Sequence, residues 1–174
     1  KVLITTVPFG NKNRFPLELL EQENVEYLIN PLNRKLTENE LAEMASDCDI
    51  IIAGTESISE YVMSKAVKLK LISRVGIGLD SVDLLAAQKR GIQVTYTPDA
   101  PSPAVAELTI GLIISLMRSV HLSNIEMHNG EWHRYFGKRI AESTIGIIGL
   151  GRIGERVLNR LSAFGTPRLL VNDI

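Results

Sequence analysis

The run Ile145-Gly146-Ile147-Ile148-Gly149-Leu150-Gly151-Arg152-Ile153-Gly154 constrains the fold of this chain more than any other feature. A short apolar run bounded by glycine suits a strand of a buried parallel sheet. The segment after the glycines sets Ile153, Val157, Leu158, Leu161 and Phe164 on helical spacing. A second apolar run, Leu169-Leu170-Val171, follows, and Asp173 stands at its end. Strand, glycine turn, helix and strand, with an acid roughly 20 positions beyond the glycines, form a dinucleotide-binding fingerprint. Each residue has a physical task. Gly149 permits the strand-to-helix turn, Gly151 lets a pyrophosphate approach the backbone, and Gly154 lets the helix pack close to the sheet. Free N–H groups at the helix start, through Arg152 and Ile153, then meet the phosphates. Asp173 accepts from the ribose hydroxyls and repels a 2′-phosphate, so the expected cofactor is NAD rather than NADP. The bland alternative is a glycine-rich turn that binds nothing.

Upstream, apolar runs alternate with helical patterns. Strands are predicted at 2–6, 25–29, 50–53, 70–75 and 92–96, and helices at 16–22, 38–45, 60–65 and 82–89. Thr37 with Glu40 reads as a capping box, Asp80 or Ser81 as the start of the fourth helix, and Gly91 as its end. Short strands joined by helices call for a parallel sheet covered on both faces, an α/β fold. The prolines at 98, 101 and 103 interrupt this pattern. They read as a domain boundary, giving lobes 1–98 and 99–174. Ser102 and Pro103 look like the N-cap and first residue of a long helix running to about Val120. That helix is apolar nearly all round, which predicts burial between lobes or between subunits of a homodimer. The stretch after it, with His121, His128, Trp132 and His133, reads as a polar connection.

Composition narrows the function classes. A net charge of −1 with 45% hydrophobic and 22% charged residues is that of a soluble globular protein without a polyanion-binding character. No nucleic acid or membrane partner is expected. The longest strongly apolar stretch, Leu108 to Met117, falls short of the roughly 20 residues a bilayer needs. The single cysteine, Cys48, reads as a small buried residue, and a reducing, cytoplasmic setting is expected. No Cys, His and Asp residues share metal-ligand spacing. Lys1 in place of Met reads as a trimmed native start.

Four stretches together carry a family resemblance. They are Arg74-Val75-Gly76-Ile77-Gly78-Leu79-Asp80-Ser81-Val82-Asp83; Thr97-Pro98-Asp99-Ala100-Pro101-Ser102 leading into Val105-Ala106-Glu107-Leu108; Gly130-Glu131-Trp132; and the glycine fingerprint with its preceding strand. In order and spacing the chain resembles the D-isomer-specific 2-hydroxyacid dehydrogenases, in particular the phosphoglycerate dehydrogenase branch. The resemblance implies a flavodoxin-like substrate lobe followed by the first part of a Rossmann NAD-binding domain, with the active site in the cleft between lobes. It implies that the amides of Val75, Gly76 and Ile77 hold the carboxylate of a small 2-hydroxy or 2-keto acid. Arg74 would face a substrate anion, and Ile77 and Val105 would touch the nicotinamide side of the cofactor. A second phosphate-facing arginine of that branch falls at Gly54, and a polar asparagine at Pro101, which weighs against phosphoglycerate itself. The family's catalytic arginine, glutamate and histidine would lie downstream of Ile174, so no catalytic residue is expected in this chain. A dehydrogenase-like corepressor that senses NAD without turnover is the other reading.

Overall fold

A computed structural model describes residues 1–174. The chain divides into two compact units, Lys1–Pro98 and Asp99–Ile174.

The first unit is built on five strands, β1 (Val2–Ile4), β2 (Tyr27–Ile29), β3 (Ile50–Ala53), β4 (Leu71–Arg74) and β5 (Gln93–Tyr96). All pairings are parallel, in the order β2-β1-β3-β4-β5. This is a flavodoxin-like order, whose direction of winding reverses between β1 and β3. The connecting helices are α1 (Phe15–Gln22), α2 (Glu38–Ala45), α3 (Glu60–Lys65) and α4 (Leu84–Lys89). Alternation along the strands sends Leu3, Ile51 and Ile72 into a core with Leu41, Val62, Met63 and Ala86. Val2 and Ile4 face the other way, against Leu17 of α1. Cys48 is fully buried in the first of these cores, and burial pushes its thiol pKa up.

Local signals explain most boundaries. Thr37 and Glu40 form the reciprocal capping box of α2. Gly91, at φ +69°, follows the end of α4 in the left-handed region. The start of α4 differs from expectation, because Asp83, not Asp80 or Ser81, is the N-cap and accepts from Ala86 N at 2.9 Å. The reason is tertiary. Ser81 O accepts from Ile58 N at 2.7 Å, and Val82 forms a parallel bridge with Ile58, so the chain is extended there.

The second unit contains α5 (Ser102–Met117), α6 (Val120–His128), a 3-10 turn (Ile140–Glu142), β6 (Thr144–Ile148), α7 (Arg152–Ser162) and β7 (Arg168–Asn172). Strands β6 and β7 pair in parallel, Thr144 opposite Arg168 through Ile148 opposite Asn172. Ala106, Ile140, Val157 and Leu161 are its buried centre. Ser102 is not the N-cap of α5. A turn in which Ser102 N donates to Asp99 O at 3.0 Å places it inside the first helical turn, with its hydroxyl buried and unpartnered. The long helix also ends earlier than expected. Ser119 adopts φ +52°, and the chain bends by 67° into α6, so His121 and His128 are helical. Along α5 only Ser102 and Ala106 are buried, while Leu108, Leu112 and Leu116 are exposed. The unit has too little mass around α5 to cover an apolar surface on every side. No single helix is long and apolar enough to cross a membrane.

Candidate functional site

The glycine fingerprint occupies the turn from β6 into α7. Gly149 sits at φ +91°, and its N–H donates to Asn172 O at 2.8 Å, which ties the turn to the end of β7. Gly154 is in tight contact, since a Cβ there would lie 2.0 Å from Gly149 O. Gly151 is the opposite case. It is the N-cap of α7, and a Cβ on it would meet nothing within 4 Å. One glycine therefore closes the helix onto the turn, and the other leaves a space beside the backbone. No side chain caps α7. The first amides of the helix, those of Arg152, Ile153 and Gly154, lack intrahelical acceptors and are free for an anion. Asp173, just past β7, accepts from Leu150 N at 3.1 Å, so its carboxylate lies beside the same turn. Helix α7 is held in place by buried Val157 and Leu161. Arg156 pairs with Asp99 at 2.8 Å, and Arg160 pairs with Glu107 at 3.1 Å. The donor set, the space at Gly151 and the acid fit the diphosphate and ribose of a dinucleotide.

In the first unit, the loop after β4 carries the other predicted residues. Arg74 is the last residue of β4. Its Nη1 donates to the carbonyls of Ala53, at 3.4 Å, and Val75, while its Nε is buried without a partner. Gly76 adopts φ +148°, and a Cβ there would lie 2.8 Å from Arg74 Nη1. The amides correct one expectation. Val75 N donates to Ala53 O at 3.0 Å, continuing the β3–β4 ladder, and Gly76 N donates to the Thr97 hydroxyl at 2.9 Å. Both are engaged, whereas the amides of Ile77 and Gly78 have no partner in the chain. Of the three amides expected to receive a carboxylate, only that of Ile77 is free, and Gly78 joins it. Ile77 is half-buried and Val105 exposed, so neither is the core residue its apolar character alone would make it.

Beside Arg74 lies a cavity of about 340 Å³ whose lining includes Thr6, Arg34, Lys35, Gly54, Glu56 and Arg74. These residues follow β1, β2 and β3 or, in the case of Arg74, end β4, so the cavity opens at the carboxyl ends of the strands, where the sheet reverses its winding. Open α/β sheets bind ligands at that place. Sequence reasoning missed Thr6, Arg34, Lys35, Glu56 and Thr97. No local pattern marks them, and their shared lining appears only once the strand order is known. Gly54, where the resemblance sets an arginine, has no room for a side chain. A Cβ there would lie 2.8 Å from Glu56 Oε2 and 3.2 Å from Thr6 Cα. Arg34 is held by Glu40 through bonds of 3.0 and 2.6 Å. That guanidinium, with the Thr37 amide and hydroxyl, holds the Glu40 carboxyl down to about 2.

Two of the three histidines take local partners. His128 Nδ1 lies 2.8 Å from Asn124 O, and His133 packs edge-on against Tyr135 with ring centroids 4.6 Å apart. No group of three or more His, Cys, Asp or Glu side chains is placed to hold a metal ion.

Comparison with known proteins adds an independent line. Residues 5–172 match the family model described as D-isomer specific 2-hydroxyacid dehydrogenase, catalytic domain. The chain is 42% identical over 134 residues to D-3-phosphoglycerate dehydrogenase of Methanocaldococcus jannaschii, covering 75% of this chain and 25% of that protein. It is 32% identical over 154 residues to hydroxypyruvate reductase of Thermotoga maritima, covering 84% of this chain and 50% of the relative. Among solved structures it resembles NAD+-bound 3-phosphoglycerate dehydrogenase of Entamoeba histolytica, with a TM-score of 0.81 and 28% identity over 99% of this chain and 53% of that one. The chain thus spans between a quarter and about half of the length of these relatives.

Proposed function

The chain belongs to the D-isomer-specific 2-hydroxyacid dehydrogenase family, and from that membership we propose that it binds NAD and a small 2-hydroxy or 2-keto acid as part of an oxidoreductase. The observation that carries this reading is the pair of glycines on α7: Gly154 closed against Gly149, and Gly151 facing open space. When bound, NAD accepts or supplies a hydride at its nicotinamide ring. The chain's own residues bind and orient. The amides of Arg152, Ile153 and Gly154, with the Arg152 side chain, take the pyrophosphate. Asp173 exchanges its bond from Leu150 N for the ribose hydroxyls. Its charge disfavours a 2′-phosphate.

In the first unit, Lys1–Pro98, the free amides of Ile77 and Gly78 take the acid's carboxylate. Arg74 supplies the countercharge, and Val75 and Gly76 shape the loop. Ile77 and Val105 are assigned to the nicotinamide side of the cofactor on the family resemblance. No proton-transfer role is assigned to His128 or His133, whose partners are structural. The named relatives take 3-phosphoglycerate and hydroxypyruvate, two acids with oxygen at C2, and this supports the class of substrate. The exposed Leu108, Leu112 and Leu116 on α5 form an apolar face that a second copy of the chain would cover. We therefore assign a homodimer through this helix, to be checked by sedimentation at micromolar concentration, where a monomer would count against it.

The deciding experiment follows NADH absorbance with the full-length protein and a panel of 2-keto acids. Turnover of at least one is expected. NAD binding without turnover of any would favour an NAD-sensing interaction protein.

A further inference from the structure

The cavity at the reversal point of the first sheet has, besides Arg74, a polar lining that the carboxylate site does not use. Glu56 is 3% exposed and accepts from the Thr5 hydroxyl at 2.9 Å. That hydroxyl in turn receives Gly54 N at 3.1 Å. The carboxylate is thus fixed over Gly54, against space that a Cβ would fill. Two other lining residues carry buried polar atoms with no partner, the Thr6 hydroxyl and Arg74 Nε. Buried polar groups in folded proteins are normally paired, and unpaired atoms on two residues of one cavity lining mark where a ligand's polar groups belong.

The charges then decide what kind of ligand. Arg34 is neutralised by Glu40 in a two-bond pair. Arg74 stands beside the free amides of Ile77 and Gly78 and serves the acid's own carboxylate. What remains for the rest of the molecule is one cation, Lys35, and one buried carboxylate, Glu56. A neutral tail bearing hydroxyl groups satisfies both, since a hydroxyl donates to Glu56 and accepts from Lys35 or the Thr6 hydroxyl. A phosphate carries nearly two negative charges and would set them against Glu56 with a single lysine to offset them.

We infer that Glu56 is a specificity-determining residue, selecting 2-hydroxy or 2-keto acids with an uncharged, hydroxyl-bearing tail over phosphorylated ones. The inference rests on the acid-binding role given above to the loop after β4. It makes Glu56 a substrate contact with no part in the redox step.

The test uses full-length protein and two independent readouts. The first is kcat/KM for hydroxypyruvate, pyruvate and 3-phosphohydroxypyruvate. The second is calorimetric binding of glycerate and 3-phosphoglycerate without cofactor. The wild type is expected to favour hydroxypyruvate over its phosphorylated form by tenfold or more. Glu56→Gln should shrink that ratio at least tenfold, while Glu56→Asp, which keeps the charge, should retain most of it. Thr6→Val should weaken glycerate binding more than phosphoglycerate binding. A wild-type preference for the phosphorylated acid would overturn the inference. So would a ratio unchanged in Glu56→Gln with its thermal midpoint intact, or equal losses for all three keto acids. Should no keto acid turn over while glycerate still outbinds phosphoglycerate and Glu56→Gln narrows the gap, the redox reading fails and the pocket assignment stands. If neither acid binds, the pocket assignment fails.

Discussion

Replacing the second and third glycines of the fingerprint, Gly151 and Gly154, by alanine should separate a packing role from a binding role. In Gly154→Ala the new methyl carbon would lie 2.0 Å from Gly149 O and 3.0 Å from Gly149 C. A carbon–oxygen contact tolerates about 3.3 Å, so the first turn of α7 or the preceding loop must retreat by roughly 1.3 Å. The helix resists, because Val157 and Leu161 are buried and Arg156 and Arg160 are paired to Asp99 and Glu107. Overpacking of this kind costs about 2 kcal/mol, or roughly 8–16 °C in Tm for a unit of this size. Displaced amides also lose one or two bonds to the pyrophosphate, each of roughly 1.5–3 kcal/mol. NAD affinity should therefore fall about a hundredfold, near 2.8 kcal/mol. Gly151→Ala meets nothing within 4 Å, at backbone angles of −69° and −163° that alanine adopts freely. Its stability should fall by no more than about 1 kcal/mol, the N-cap preference for glycine over alanine, yet NAD binding should weaken because the methyl fills the space beside the backbone. The assays are thermal unfolding of the cofactor-free protein and calorimetry with NAD. Equal loss of Tm in the two variants, or wild-type stability in Gly154→Ala, would refute the packing argument.

Asp173→Ala should narrow a wild-type preference for NAD over NADP of at least about tenfold, roughly 1.4 kcal/mol, measured as the ratio of kcat/KM values. Equal efficiency with both cofactors in the wild type would sink that role for Asp173. Arg74→Ala should raise KM for the acid more than it lowers kcat, because its charge acts on the bound ground state as well; an unchanged KM would leave Arg74 as a brace for the Ala53 and Val75 carbonyls. The Glu40 carboxyl, held to about 2 first by Arg34 and then by Thr37, should titrate near that value in an NMR pH series. A carboxyl pKa lowered by folding stabilises above its unfolded value. The contribution of the α2 capping box is then present in full above roughly pH 5 and lost as pH falls through about 2. A midpoint near the ordinary 4.5 would show that the Arg34–Glu40 pair is not formed in solution.

The sequence by itself determined what depends on neighbours along the chain. The spacing of Gly149, Gly151, Gly154 and Asp173 sets a strand, a tight turn, a helix and an acid in order, because each step of that motif is local. The bounds of α2, with Thr37 and Glu40, were legible for the same reason. The alternation of strands and helices was enough for an α/β fold with a parallel sheet. Tertiary structure decided the features that depend on partners far away in the chain. Pairing of Val82 with Ile58 moved the cap of α4 from Asp80 or Ser81 to Asp83, overriding a local capping signal that reads equally well at all three residues. The left-handed turn at Ser119 ended α5 at Met117, short of the Val120 that the sequence pattern set. Strand pairing and the Thr97 hydroxyl took up the amides of Val75 and Gly76, leaving those of Ile77 and Gly78. The cavity around Glu56 exists only because β1, β2, β3 and β4 end side by side, an order no local pattern encodes. Local chemistry fixes which residues turn, cap and pair with near neighbours; the sheet order fixes which strand ends share a wall, and with it which polar groups are left for a ligand.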